Sequence, residues 1–279
     1  MATTAQIREH YDSLALIYST FWGDHIHHGL FETGNESAPD AQVKMLSHCV
    51  GLLGLHGSER VLDCGCGHGG TLLHLATSHG CSGLGLTLSP KQAKIASQNA
   101  AKAGIESKIK FQVRDVGNFV FPKDEFDLVW AMESTEHFPD KPPFFRNVAA
   151  TLRPGGQSLL AAWTGSMGSS RVAEVAQAFL CPELWTAEQY RAAIEFTGMR
   201  VTNCEDLTAK IIRTWEICQQ HARTARAVVK LLPQAAREFV EGIDIILDAY
   251  RSGDLSYTVI TARKRDSADM SVRPTLSIY

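Results

Sequence analysis

No apolar run in these 279 residues reaches the ~18 positions that a membrane-spanning helix needs. Charge of one sign is lacking too. Lys and Arg number 27 against 30 Asp and Glu, a formal net charge of −3, which argues against nucleic acid or an anionic membrane as the main partner. The first residues show neither the basic-then-apolar pattern of a secretion signal nor the Arg-rich pattern of a transit peptide. The closing Leu276-Ser277-Ile278-Tyr279 is neither a prenylation box nor a peroxisomal address. The expected location is the cytoplasm. Seven scattered cysteines, an odd number without a secretion signal, predict free thiols in a reducing compartment rather than a disulfide framework. Cys64 and Cys66 bracket Gly65, but no second cysteine pair stands at ligand spacing, so no metal is expected. Small, inert, buried residues account for them better. No internal repeat is present.

What is there centres on Val61-Leu62-Asp63-Cys64-Gly65-Cys66-Gly67-His68-Gly69-Gly70. An apolar run ends in a carboxylate and breaks into glycines. Leu72, Leu73, Leu75 and Ala76 follow at helical spacing. This is a strand, a tight turn and a helix. Glycines there let a ligand approach bare main chain, and the helix start behind them offers unpaired N–H groups. Gly65, Gly67 and Gly70 satisfy G-x-G-x-x-G, the dinucleotide fingerprint. A nicotinamide site wants an acid about 20 residues further on, and the next strand, Ser82–Leu86, ends instead in Thr87-Leu88-Ser89. The carboxylate stands before the glycines, at Asp63, where it would repel a pyrophosphate and suit a cation. S-adenosylmethionine (SAM) carries an ammonium and a sulfonium.

Around this stretch the chain alternates. Strands are predicted near 60–64, 82–87, 109–114, 126–132, 157–164, 199–205 and 255–262, and helices near 5–22, 40–53, 70–79, 90–103, 140–152 and 187–197. Such alternation predicts a parallel sheet covered on both faces. Ser89-Pro90 reads as a helix start, and Thr186 with Gln189 as a capping box. Arg153-Pro154-Gly155-Gly156 reads as a stop and turn, and Gly165–Ser170 as a flexible break. Residues 207–251 are mostly helical, broken at Pro233, and too long for a simple crossover; part of them is expected to form a cap. The expected organisation is an N-terminal helical lid (1–55), a Rossmann-like core (56–165), the rest of the core with the inserted cap (166–265) and a loose tail (266–279).

In open α/β sheets ligands bind beyond the carboxyl ends of the strands. Four ends are polar or polar-flanked: Asp63 with its glycines; Thr87-Leu88 with Gln92 a turn later; Arg114-Asp115-Val116; and Trp130-Ala131-Met132-Glu133-Ser134, followed by Thr135-Glu136-His137. Asp115 either accepts from an adenine amino group, with the Val116 N–H on a ring nitrogen, or caps the next turn. Glu133 and His137 can converge as a proton-removing pair; a helix-start hydrogen bond is the other role open to His137. The segment Trp22-Gly23-Asp24-His25-Ile26-His27-His28-Gly29 packs three histidines into four positions. With no matching carboxylate cluster, it reads as a structural or ligand-covering segment rather than a metal site.

With these residues in place, the sequence resembles the class I SAM-dependent methyltransferases. Within them it is most similar to the γ-tocopherol methyltransferase-like group, near the sterol and cyclopropane-fatty-acid enzymes. Val61–Gly67, Asp115, Phe126-Asp127-Leu128-Val129 and Leu152-Arg153-Pro154-Gly155-Gly156 carry the general likeness. Trp22–Gly29, Leu86–Pro90, Met132–His137 and Leu255–Lys264 carry the narrower one. The resemblance implies a doubly wound, Rossmann-like sheet of about seven strands with the last antiparallel. It implies SAM over Gly65, Cys66 and Gly67, adenine near Asp115 and Val116, ribose near Thr87 and Leu88 with Gln92 and Met132 close by, and Tyr11 and His27 closing over its methionine end.

The reading is therefore methyl transfer from SAM, with S-adenosylhomocysteine (SAH) as by-product, to a carbon or nitrogen of a small, largely apolar natural product. The acceptor type is isoprenoid, aromatic or indole. His137, Glu133 and His28 are the candidate catalytic residues, and Trp22, Tyr11 or Tyr18 could steady a developing cation. The rival readings are a SAM-binding cyclase or isomerase that transfers no methyl, and an inactive SAM-binding regulator. The sequence leaves the acceptor and the oligomeric state open.

Overall fold

A computed structural model describes residues 3–21, with backbone alone from residue 14, and residues 25–224, 229, 231 and 234–266. Trp22, the expected break at Pro233 and the tail from residue 267 lie outside the described residues, as does the Tyr18 side chain. In chain order the elements are α1 (Thr4–Phe21), α2 (Ala38–Leu53), β1 (Arg60–Cys64), α3 (Gly70–His79), β2 (Ser82–Thr87), α4 (Pro90–Lys102), β3 (Ile109–Val113), β4 (Phe126–Met132), α5 (Lys141–Thr151), β5 (Leu152–Gly165), α6 (Ser170–Ala178), α7 (Ala187–Phe196), β6 (Arg200–Asp206), α8 (Thr208–Ile211), α9 (Arg213–Thr224), α10 (Gln234–Ser252) and β7 (Leu255–Arg263).

The seven strands form one sheet in the order β3-β2-β1-β4-β5-β7-β6. The last strand, β7, runs antiparallel to both of its neighbours. This is the doubly wound sheet of seven strands, the last antiparallel, that the resemblance implies. Side chains along each strand alternate between two cores. Val61, Leu128 and Trp130 face a core with α2, α3, α6, α9 and α10. Leu62, Val129 and Ala131 face another with α5 and α7. Strand β1 lies between β2 and β4, and the crossovers from β1 and β4 leave on opposite faces. Their carboxyl ends open a crevice there.

Local signals act as expected at two starts. Ser89 accepts from the Gln92 N–H ahead of Pro90, and Thr186 with Gln189 forms the reciprocal capping box. One expectation is corrected, and one helix went unread. Arg153–Gly156 is not a turn before β5 but belongs to the strand. Phe126 pairs with Leu152 and Leu128 with Gln157, so this stretch bulges from the ladder while the Arg153 guanidinium holds Asp127 at 2.9 Å. The Gly165–Ser170 stretch leads into α6, a helix the sequence reading lacked. Ser169 caps it by accepting from the Val172 N–H, and only Val172 and Val175 are fully buried along it.

Candidate active site

Gly65 begins the site. Its φ is +98°, and a Cβ there would sit 2.3 Å from the Ser134 Cβ, so only glycine fits. The Gly65 and Cys66 N–H groups both donate to Leu86 O at 2.9 Å, and Ser134 Oγ donates to Cys64 O at 2.6 Å. Strand ends β1, β2 and β4 are thereby tied together. Asp63 is buried behind the loop, 3 % exposed, and its Oδ2 meets no partner among the described residues. Burial raises its pKa to about 7. A carboxylate so placed lacks a cation that a bound ligand can supply.

A cavity of about 320 Å³ opens over these strand ends. Gly65, Gly67, Thr87, Leu88 and Gln92 line it at one end, with Asp115, Val116 and Met132. Tyr11, His27, His28, Glu133 and His137 line it as well. Two expected cofactor residues stand off this wall. Asp63 lies behind it, and Cys66 turns its side chain toward Gly85, whose Cβ would meet it at 2.9 Å. The Cys66 N–H already donates to Leu86 O. Thr87 Oγ1 donates to Gln92 Oε1 at 2.7 Å, which leaves the Gln92 amide N–H groups for a ligand hydroxyl. Asp115 does cap its turn, accepting from the Gly117 N–H at 3.0 Å and from Asn118 Nδ2 at 2.7 Å, while still lining the cavity.

Glu133 follows β4 with φ +50°, a conformation that non-glycine residues seldom adopt. The turn swings its carboxylate into a buried network. Oε1 accepts from the His28 N–H and from the Tyr257 hydroxyl, each at 2.8 Å. Oε2 lies 2.9 Å from His28 Nδ1, and the other ring nitrogen, Nε2, accepts from Trp215 Nε1 at 2.5 Å. The His28 proton therefore sits on Nδ1, close to Glu133 Oε2 but without hydrogen-bond geometry to it. Burial works to raise the Glu133 pKa; the His28 and His27 rings and the hydrogen bonds from His28 outweigh it, so the pKa is lowered.

His27 Nδ1 donates to His28 O at 2.8 Å, which makes Nε2 a buried lone pair without a partner among the described residues. Burial lowers its pKa. His137 rests on the turn Thr135–His137. Its Nδ1 faces Leu180 O at 3.5 Å and its Nε2 lies 2.7 Å from the Tyr11 hydroxyl. That places the proton on Nδ1 and lets Nε2 accept from Tyr11. Burial lowers its pKa to about 4, so the ring is neutral at physiological pH.

Sequence reasoning expected a few apolar residues of the 207–251 cap, Trp215 and Phe239 among them, to face the substrate, but missed Trp163, Phe179 and Glu136. Trp163, Phe179, Trp215 and Phe239 line the cavity together with Glu136. Trp163 stands at the carboxyl end of β5, and the strand-end rule applied to the other four would have found it. Glu136 is buried, 2 % exposed, and accepts from the Trp163 N–H at 2.8 Å.

A doubly wound sheet whose first strand ends in a carboxylate and a glycine loop, beneath a cavity floored by strand ends, is the class I SAM-dependent methyltransferase fold. The chain belongs to the mycolic acid cyclopropane synthetase family, which it matches over residues 1–241. It is 28 % identical to the chloroplastic tocopherol O-methyltransferase of Arabidopsis thaliana, across 92 % of this chain and 81 % of that one. It is 27 % identical to the 27-O-demethylrifamycin SV methyltransferase of Amycolatopsis mediterranei strain S699, across 95 % and 98 %. Its fold is similar to that of mycolic acid cyclopropane synthase CmaA1 complexed with SAH and CTAB, with a TM-score of 0.83 at 20 % identity, covering 94 % of this chain and 98 % of that one. The protein is thus a SAM-dependent methyltransferase of the cyclopropane-synthase and tocopherol-methyltransferase type. The residues present fit that cofactor: a buried carboxylate without a cation, and a main-chain cradle that a Cβ at Gly65 would fill. No helix among the described residues is long and apolar enough to cross a membrane.

Proposed function

We propose that the protein moves the methyl group of SAM to a carbon or nitrogen of a small, largely apolar acceptor of isoprenoid, aromatic or indole type. The observation that carries this reading is the single cavity with two unlike ends. Its floor is main chain and polar strand ends, and its far wall is aromatic. When bound, SAM supplies an electrophilic methyl on a sulfonium. In this reading Asp63 balances its cationic end, Gly65 and Gly67 cradle it, Thr87 and Gln92 meet the ribose, and Asp115 and Val116 meet the adenine. His27 accepts from the ammonium through Nε2.

The acceptor lies against Trp163, Phe179, Trp215 and Phe239, where water is excluded and positioning contributes most of the rate. His137 takes the proton that the acceptor loses. The Tyr11 hydroxyl on its neutral Nε2 relays that proton, taking it from the acceptor as it gives its own to the ring, and so links the base to α1. Glu133 stays ionised and fixed; His28, whose main-chain N–H donates to it and whose Nε2 is held by Trp215, is a positioning residue.

The test is incubation of wild-type protein with SAM and a panel of prenylated phenols, indoles and amines, read by mass spectrometry. Transfer gives a product heavier by one methyl group. A rearranged product of unchanged mass, formed only with SAM bound, would replace transfer with cyclisation.

A further inference from the structure

The aromatic wall holds two polar atoms that the proposed transfer does not use. Trp163 Nε1 and Glu136 Oε2 are both buried and meet no partner among the described residues, and both residues line the cavity. Leaving a buried donor unmade is costly, so a pair of them beside one cavity calls for a ligand atom. The Glu136 carboxylate is anchored to the β5 backbone beside the indole, because the main-chain N–H of Trp163 donates to Glu136 Oε1 at 2.8 Å. Burial raises the Glu136 pKa to about 8, against that N–H and the charge of Lys141. At neutral pH the free Oε2 therefore carries a proton to give. Lys141 spends its Nζ on the carbonyls of Phe138 and Glu183, at 3.0 and 2.8 Å. Among the described residues no Lys or Arg lines the cavity.

We infer that Glu136 and Trp163 form the polar anchor of the acceptor chamber, two donors that grip one uncharged oxygen, hydroxyl or carbonyl, of an otherwise apolar acceptor. The inference rests on reading this cavity as the site of methyl transfer. A hydrocarbon leaves both donors unpaired. A phosphorylated acceptor brings charge to a wall with no cation among the described residues and sets it beside the Glu133 carboxylate. The aromatic rings Trp163 and Phe179, with centroids 5.1 Å apart and edge to face, leave flat apolar surface next to the anchor for a ring or an unsaturated chain.

The test is calorimetric titration of the protein, saturated with SAH, with three probes: 4-geranylphenol, geranylbenzene and geranyl diphosphate. The phenol is expected to bind about tenfold more tightly than geranylbenzene, and the diphosphate most weakly. Trp163→Phe keeps an aromatic face and removes the indole Nε1–H, and should take away most of the phenol's advantage over geranylbenzene. Glu136→Gln keeps an acceptor for the main-chain N–H of Trp163 and a donor for the ligand, and should retain the advantage. The inference is overturned if the advantage survives Trp163→Phe, if Glu136→Gln abolishes it, if the diphosphate binds most tightly, or if none of the probes binds. SAM affinity, measured on the same preparations, separates the two levels: a wild type that fails to bind SAM removes the methyl-transfer reading itself.

Discussion

The hydroxyl of Tyr11 lies 2.7 Å from Nε2 of His137, joining the N-terminal helix to the turn that follows β4. Tyr11 is on an element that packs on α4 and α10, while His137 reaches back to the Leu180 carbonyl. One hydrogen bond thus couples the cover of the cavity to its candidate base.

His137→Ala is expected to lower kcat by about 10²- to 10⁴-fold with SAM affinity intact. Tyr11→Phe, which removes only the hydroxyl, should cost about tenfold. Because burial takes the His137 pKa from an ordinary 6.5 down to about 4, the acid limb of kcat should fall near pH 4. Stopped-time assays across pH read all three quantities, and unchanged turnover in His137→Ala would remove that residue from the chemistry.

Asp63 gives a second pH signature. Its pKa rises from 3.8 to about 7 on folding. Between those values the unfolded chain has released a proton that the folded chain keeps, so this group's contribution to stability falls as pH rises across that window and is level above it. Cation binding needs the ionised form. SAM should therefore bind about tenfold more weakly at pH 6 than at pH 8, and Asp63→Asn should bind weakly with a flat profile. Calorimetry at several pH values checks it; equal pH dependence in both proteins counts against the pairing.

The Glu133 network is structural as well as positional. Replacing Glu133 with Ala strips the partner from the His28 ring and N–H and from the Tyr257 hydroxyl, and should cost about 3 kcal/mol in urea unfolding. With its folded pKa lowered, Glu133 contributes stability that is present above the ordinary glutamate range and is lost as pH falls through the folded pKa. Tyr257→Phe should cost about 1 kcal/mol. A variant as stable as wild type at pH 7 would contradict the network.

Gly65→Ala combines an unfavourable φ with a collision against Ser134. It is expected to lose SAM binding and to lower the melting temperature. Adding Ser134→Gly removes the clash while the φ strain stays, so part of the melting temperature should return. No recovery in the double variant would move the cause elsewhere.

The sheet was legible because most of its strands are apolar runs closed by a glycine, a polar end or a helix cap, and those signals are local; the edge strands β3 and β6 are polar or alternating. Strand β5 was placed late, at Gln157, because Arg153-Pro154-Gly155-Gly156 has turn composition; its pairing across Asp127 and Lys264 is set by distant residues. Helix α6 offers only Val172 and Val175 as fully buried residues beneath a serine-rich start, too little period to read. The role of His28 depends on Trp215, 187 residues away in sequence, and neither residue alone signals it. Glu136 stood between two residues already given chemistry, and only its burial against Trp163 distinguishes it.

The most direct measurement uses SAM with a carbon-13 methyl, incubated with the protein in an extract of the organism that makes it, with Asp63→Ala as control. A labelled product from the wild type alone, its carbon shift placing the methyl on carbon or nitrogen, is the predicted result. An altered but unlabelled metabolite, with SAM bound, would contradict methyl transfer and leave the same cavity working as a cyclase.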